Sequence, residues 1–196
     1  MKKLLILLFS ILFLSSLSVF ADDISDFSIE GISIGDSLLD HLSYKEIINS
    51  KLNYHEGERQ YYPVSGRNLK LKDFDLMEFY LRTNDNNFII EYMVGAILYI
   101  NNSDSCITKK HEIVGNVLSF LPNADMTDEE TIPHPYDQSG KSTQTQTNFL
   151  LSSGYISVDC KVWSDEIKHK HPDWTDNLGL IVSSYEFNEW VINGYK

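Results

Sequence analysis

Cysteine is nearly absent from this chain of 196 residues; the two present are Cys106 and Cys160. With no CxxC pair and no third cysteine, a thioredoxin-type redox motif and a cysteine-based zinc site are excluded. Basic residues are also scarce. Sixteen Lys and Arg stand against 28 Asp and Glu, for a net charge of −12. That deficit argues against nucleic acid or an anionic membrane held through a general positive field. The chain has no GxSxG nucleophile elbow. Gly140-Lys141-Ser142-Thr143 looks like the end of a P-loop, but position 135, where that motif needs its first glycine, is proline. No internal repeat and no domain linker is evident.

What is present begins with a targeting segment over residues 1–21. Lys2 and Lys3 precede an apolar run from Leu4 to Leu14, and Val19-Phe20-Ala21 places small residues at −3 and −1 of a cleavage site. We read a signal peptide cleaved after Ala21, which makes the protein periplasmic or secreted, with no stable membrane insertion afterwards. An uncleaved anchor is the alternative, because the run to Phe20 is just long enough to span a bilayer. Cleavage removes two lysines and no acid, taking the net charge to −14. Export into an oxidising compartment predicts that Cys106 pairs with Cys160. Closing that loop stabilises the fold by about 4 kcal/mol in the chain-entropy picture. Two buried thiols are the alternative.

The rest of the chain is organised around residues 88–121. Phe88–Ile100 reads as a central strand, with Phe88, Ile90, Tyr92 and Val94 on one face and Ile89 and Met93 on the other. Gly95 suggests a bulge. A polar turn at Asn101–Ser105 leads into a helix over Cys106–Leu121, with His111 on its apolar stripe and Pro122 as its stop. Asp73–Arg82 pairs with the central strand as a hairpin. Upstream, Phe27–Ile34 is a short strand broken at Gly31. Residues 36–50 hold one kinked or two short helices, with a capping box at Ser43–Glu46. Downstream, 122–148 reads as a long polar loop and 149–163 as a strand pair or one bent strand. A charged loop over 164–177, a strand over Leu178–Tyr185 and a short C-terminal helix follow. The expectation is a single α+β domain over 22–196: an antiparallel sheet of about four to six strands, two main helices packed on it, and one disulfide.

Three groups of residues invite a chemical reading. His134, Asp137, Ser139 and Lys141 include the side chains of nucleophilic catalysis. They are contiguous in sequence, however, and local contacts within the loop explain them as well; His134, Asp137 and Lys141 are the catalytic candidates. Tyr54, Arg59, Tyr61, Tyr62 and Arg67 form an aromatic, basic stretch in an acidic chain, a composition typical of interface centres. Partial packing against a sheet edge is the competing account. His169 and His171 with Asp165 and Glu166, and separately Asp125, Asp128, Glu129 and Glu130, contain metal-ligating types. Neither spacing matches a known site, so no metal and no cofactor is expected.

Four pieces carry a resemblance: the opening Ile29-Glu30-Gly31-Ile32-Ser33-Ile34-Gly35-Asp36-Ser37-Leu38-Leu39-Asp40, the strand leading to Cys106, the loop His134-Pro135-Tyr136-Asp137-Gln138-Ser139-Gly140-Lys141-Ser142, and Glu186-Phe187-Asn188-Glu189-Trp190. Together they resemble small exported proteins from AT-rich marine bacterial genomes. That set has no assigned function, so the resemblance implies no mechanism. It implies that the His134–Ser142 loop belongs to a family pattern. The expected function is a non-enzymatic envelope module that binds a partner protein or a small ligand. The alternative is a hydrolase or metal-dependent enzyme using the His134–Lys141 loop.

Overall fold

The computed structural model describes residues 23–54, 59–99 and 102–194. The expected signal segment at 1–21 lies outside the described residues. The expected α+β fold is present, and its antiparallel sheet is larger than anticipated, with eight strands. These are β3 (Tyr61–Ser65), β4 (Leu76–Arg82), β5 (Ile90–Leu98), β6 (Asp125–Met126), β7 (Glu130–Pro133), β8 (Thr143–Leu150), β9 (Gly154–Val162) and β10 (Asn177–Ser184), in the order β3-β4-β5-β10-β9-β8-β6 with β7 also on β8. A separate two-stranded hairpin, β1 (Ser28–Ile29) with β2 (Ile32–Ser33), precedes it. The described helices are α1 (Tyr44–Asn49), α2 (Ser103–Phe120), α3 (Asp165–Lys170) and α4 (Tyr185–Ile192).

The stretch read as one polar loop at 122–148 supplies β6, β7 and most of β8. Thr145 and Thr147 of β8 face inward while Gln144, Gln146 and Asn148 face outward, so the period-two pattern is there without a hydrophobic signal. The charged segment after β9 likewise contains α3, capped by Ser164, whose hydroxyl accepts from Ile167 N–H.

One face of the sheet carries the main core: Met77, Phe79, Leu81, Met93, Val182, Ile156, Val158 and Phe149, roofed by α2 and the β1–β2 hairpin. A disulfide joins Cys106 in the first turn of α2 to Cys160 of β9, with Cα atoms 6.0 Å apart. The opposite face carries a smaller aromatic cluster, in which Phe187 and Trp190 of α4 pack on Tyr61, Tyr80 and Tyr92.

Two expectations about these elements are corrected. The irregularity in β5 is at Glu91, not Gly95: Leu81 pairs with Ile90 and Tyr80 with Tyr92, leaving Glu91 as the extra residue. That slip puts Ile90 and Met93 together in the core and Tyr92 on the other face. Gly95 serves close packing instead, since a Cβ there would lie 2.8 Å from the Phe74 ring. On α2 the buried polar residue is Lys110, not its neighbour His111. The fully buried Lys110 ammonium donates to Glu129 Oε2 (2.8 Å) and Thr147 Oγ1 (2.7 Å). His111 is exposed and meets the same Glu129 oxygen from outside at 2.8 Å.

Candidate functional site

The aromatic, basic stretch is gathered at the edge of the sheet. After α1, residues 50–52 run antiparallel to β3: Ser65 N–H donates to Ser50 O, and Leu52 N–H donates to Pro63 O. This brings Lys51 and Tyr54 beside Tyr61 and Tyr62. The β4–β5 turn closes the other side. Its Asp85 carboxylate accepts from Asn87 N–H (2.9 Å) and Ile89 N–H (2.8 Å), and Ser37 Oγ clamps Asn87 O at 2.5 Å. Tyr44 of α1 and Phe88 complete the wall, their rings edge to face at 5.7 Å. Together these segments surround a pocket of ≈ 410 Å³, within the size range of small-molecule sites.

Phe88 holds φ at 55°, a left-handed backbone that a bulky residue adopts at a cost of about 1–3 kcal/mol. The surrounding bonds impose it. Leu38 N–H donates to Phe88 O, while Gly35 N–H donates to Ile90 O, so both sides of the turn are tied to the segment before α1.

The pocket's chemistry is aromatic and donor-rich. The Lys51 ammonium lies over the Tyr62 ring, 3.9 Å from its centroid, a cation–π contact. Burial first, then the nearby Asp85 and Tyr44, push the Tyr62 phenol up to about 12. Burial also raises Tyr61 to about 12. Tyr54 is raised further by burial and by Glu78, to which its hydroxyl donates at 2.8 Å. These phenols therefore stay protonated at neutral pH. Arg59 lines the same space. Lys51 and Arg59 bring two cations to this corner of an acidic protein, beside the Asp85 carboxylate that also lines it.

Of the five binding candidates, Tyr54, Arg59, Tyr61 and Tyr62 line the pocket and Arg67 does not. The Arg67 guanidinium donates to Asn49 O (2.8 Å) at the end of α1. Tyr44, Lys51 and Phe88 belong to the site but were not singled out in the sequence.

The His134–Ser142 loop is organised differently. Asp137 is buried, and its carboxylate accepts from Ser139 N–H and Oγ, Ser142 N–H and Oγ, and Ser164 Oγ, at 2.6–2.9 Å. The Ser139 hydroxyl, then that of Ser142, hold its pKa far below the usual carboxylate range. Every strong acceptor position is occupied. Ser139 donates to Asp137 rather than to a histidine. His134 Nδ1 accepts from Tyr136 N–H (3.2 Å), its ring lies 4.3 Å from that of Trp163, and burial lowers its basicity. Lys141 is exposed.

The histidines at the end of α3, His169 and the following His171, are likewise spoken for or apart. His171 Nε2 meets Tyr136 Oη at 2.8 Å and its ring stacks on Trp174, whereas His169 is exposed. Of the acidic run, Glu129 binds Lys110 and Glu130 accepts from Gln146. Among the described residues no three His, Cys, Asp or Glu side chains converge as a metal site. No family model matches the chain, and neither a curated protein nor a solved structure does.

Proposed function

We propose that this protein is an exported, non-enzymatic binding module of the bacterial envelope, and that the pocket at the β3 edge is its ligand site. One observation carries the reading: four residues nominated from composition alone converge with Tyr44, Lys51 and Phe88 around one open space. The N-terminal segment, the resemblance to exported proteins and the disulfide support a periplasmic or secreted location.

The ligand class follows from the walls. Aromatic faces favour a flat or ring-shaped body. Lys51, Arg59 and protonated phenols favour an acceptor-rich or anionic group on it. A small aromatic carboxylate or an anionic sugar meets both demands, as does a partner protein's exposed Tyr or Phe beside an acidic residue.

The test is a thermal-shift panel on the non-reduced protein, with aromatic carboxylates, sugars and sugar phosphates, run beside Tyr62→Ala and Lys51→Glu. A ligand at ~100 times its Kd adds about 2.7 kcal/mol and moves the midpoint by several degrees. The expected result is a shift in the native protein that both variants lose. The reading fails if no compound shifts the midpoint and the variants capture the same envelope proteins as the native chain.

A further inference from the structure

A second space opens on the covered face of the sheet, at the opposite end of β5 from Phe88, and its argument does not depend on the first. α2 is fastened over β9 by Cys106–Cys160, while the β1–β2 hairpin sits nearer β5. The two covers touch through Phe27 and Phe120. Between them lies a cleft of ≈ 480 Å³. One wall is α2 from Lys109 to Phe120. The other is Phe27 with the Asp73–Phe74 corner, and the floor is Ile97 and Leu180.

The cleft has two unlike ends. At one, Phe120 meets Phe27 edge to face at 5.9 Å. Phe120 is 57 % exposed, a large apolar side chain held at the mouth. At the other, Lys109 is paired with Glu112 at 2.8 Å, and Asp73 stands across from them. The ammonium is thus already engaged. Among the described residues, the Asp73 carboxylate forms no hydrogen bond and no ion pair within 4 Å, although its charge reaches Lys109 and helps hold that ammonium's proton. Two carboxylates against one lysine leave this end net negative. From Lys109 to Phe120 the helix rises ~16 Å.

We propose that this cleft binds a medium-chain amphiphile: an unbranched hydrocarbon of about ten carbons, ~13 Å extended, along the ~16 Å helix wall, with a protonated amine against Asp73. The apolar length takes the chain, and the spare carboxylate selects a cationic head over an anionic one. A preformed apolar groove with a few convergent polar groups at one end is the usual build of a small-ligand site.

The experiment uses the non-reduced protein and the neutral fluorescent probe N-phenyl-1-naphthylamine. Decylamine, decanol and decanoate compete for the probe, each below its micelle-forming concentration. Decylamine is expected to displace it saturably, about ten times more tightly than decanoate, with decanol between them. Asn116→Trp places an indole into the cleft from an exposed helix position and is expected to weaken all three about tenfold. Asp73→Asn, also at an exposed position, is expected to weaken decylamine about fivefold and leave decanol unchanged. Unaltered thermal midpoints confirm that both variants fold. Decanoate binding as tightly as decylamine, indifference to Asn116→Trp, or no saturable displacement each overturns the proposal.

Discussion

The loop at His134–Ser142 and the pocket at the β3 edge were both nominated by residue type, and the structure treats them in opposite ways. In the loop, neighbours in sequence satisfy one another: four of the five donors on Asp137 come from Ser139 and Ser142, and the Ser139 hydroxyl that looked nucleophilic is spent on holding a turn. In the pocket, residues from α1, the 50–54 segment, β3 and the β4–β5 turn face a common volume. Reactive residue types packed within nine positions have every chance to pair locally. Types brought together from distant segments are held apart by the scaffold, and the space between them is left for something else.

That contrast can be broken experimentally. The scale is set by the disulfide: replacing Cys106 and Cys160 with Ser should cost about 4 kcal/mol in denaturant unfolding. It touches neither region directly, so the surviving folded fraction should keep its pocket. Next comes Asp137→Ala, which strands several donors and should produce a clear drop in thermal midpoint without altering binding at the β3 edge. If it instead abolished binding or an activity while stability held, the loop would be functional after all.

The same carboxylate gives a pH signature. Its pKa in the folded protein is depressed from 3.8. Its contribution is therefore complete well above the unfolded value and is lost progressively as pH falls below about 4. Acid unfolding followed by near-UV circular dichroism should show less stability loss over that range in Asp137→Ala than in the native chain.

The pocket should respond in the reverse sense. Tyr62→Ala is expected to cost only about 1 kcal/mol, and Lys51→Glu less than about 0.5 kcal/mol, in calorimetry, yet each should weaken ligand about tenfold or more. The smallest effect belongs to Asn84, whose φ of 65° suits glycine. Asn84→Gly should change stability by no more than about 0.5 kcal/mol, in the stabilising direction, in the same assay.

Much of the scaffold was legible because its signals are local. The body and end of α2 follow from its apolar spacing and the proline after Leu121, although the helix starts at Ser103, capped by Asn102, inside the stretch read as a turn; the disulfide follows from having only two cysteines. The capping box at Ser43 and Glu46 forms as its spacing predicts. β8 was hidden because Thr145 and Thr147 turn inward without being apolar, and α3 because its caps sit in a charged run. The faces of β5 were misassigned because one inserted residue at Glu91 reverses the alternation, and sequence does not say where a strand takes up its extra residue. Lys110 and His111 were exchanged because Glu129, the partner that makes a buried lysine tolerable, lies 19 positions away. Four of the five aromatic and basic candidates were found from composition. Tyr44, Phe88 and the cleft under α2 depend on how separate segments meet, which no spacing rule encodes.

The bridge between α2 and β9 also shapes how the chain is made. A protein with six cysteines can mispair in many ways, but one with two has a single intramolecular outcome. Its maturation therefore calls for an electron acceptor and for no isomerase to correct errors. Cys160 emerges 54 residues after its partner, so the helix must wait, unlocked, until most of the sheet has been synthesised.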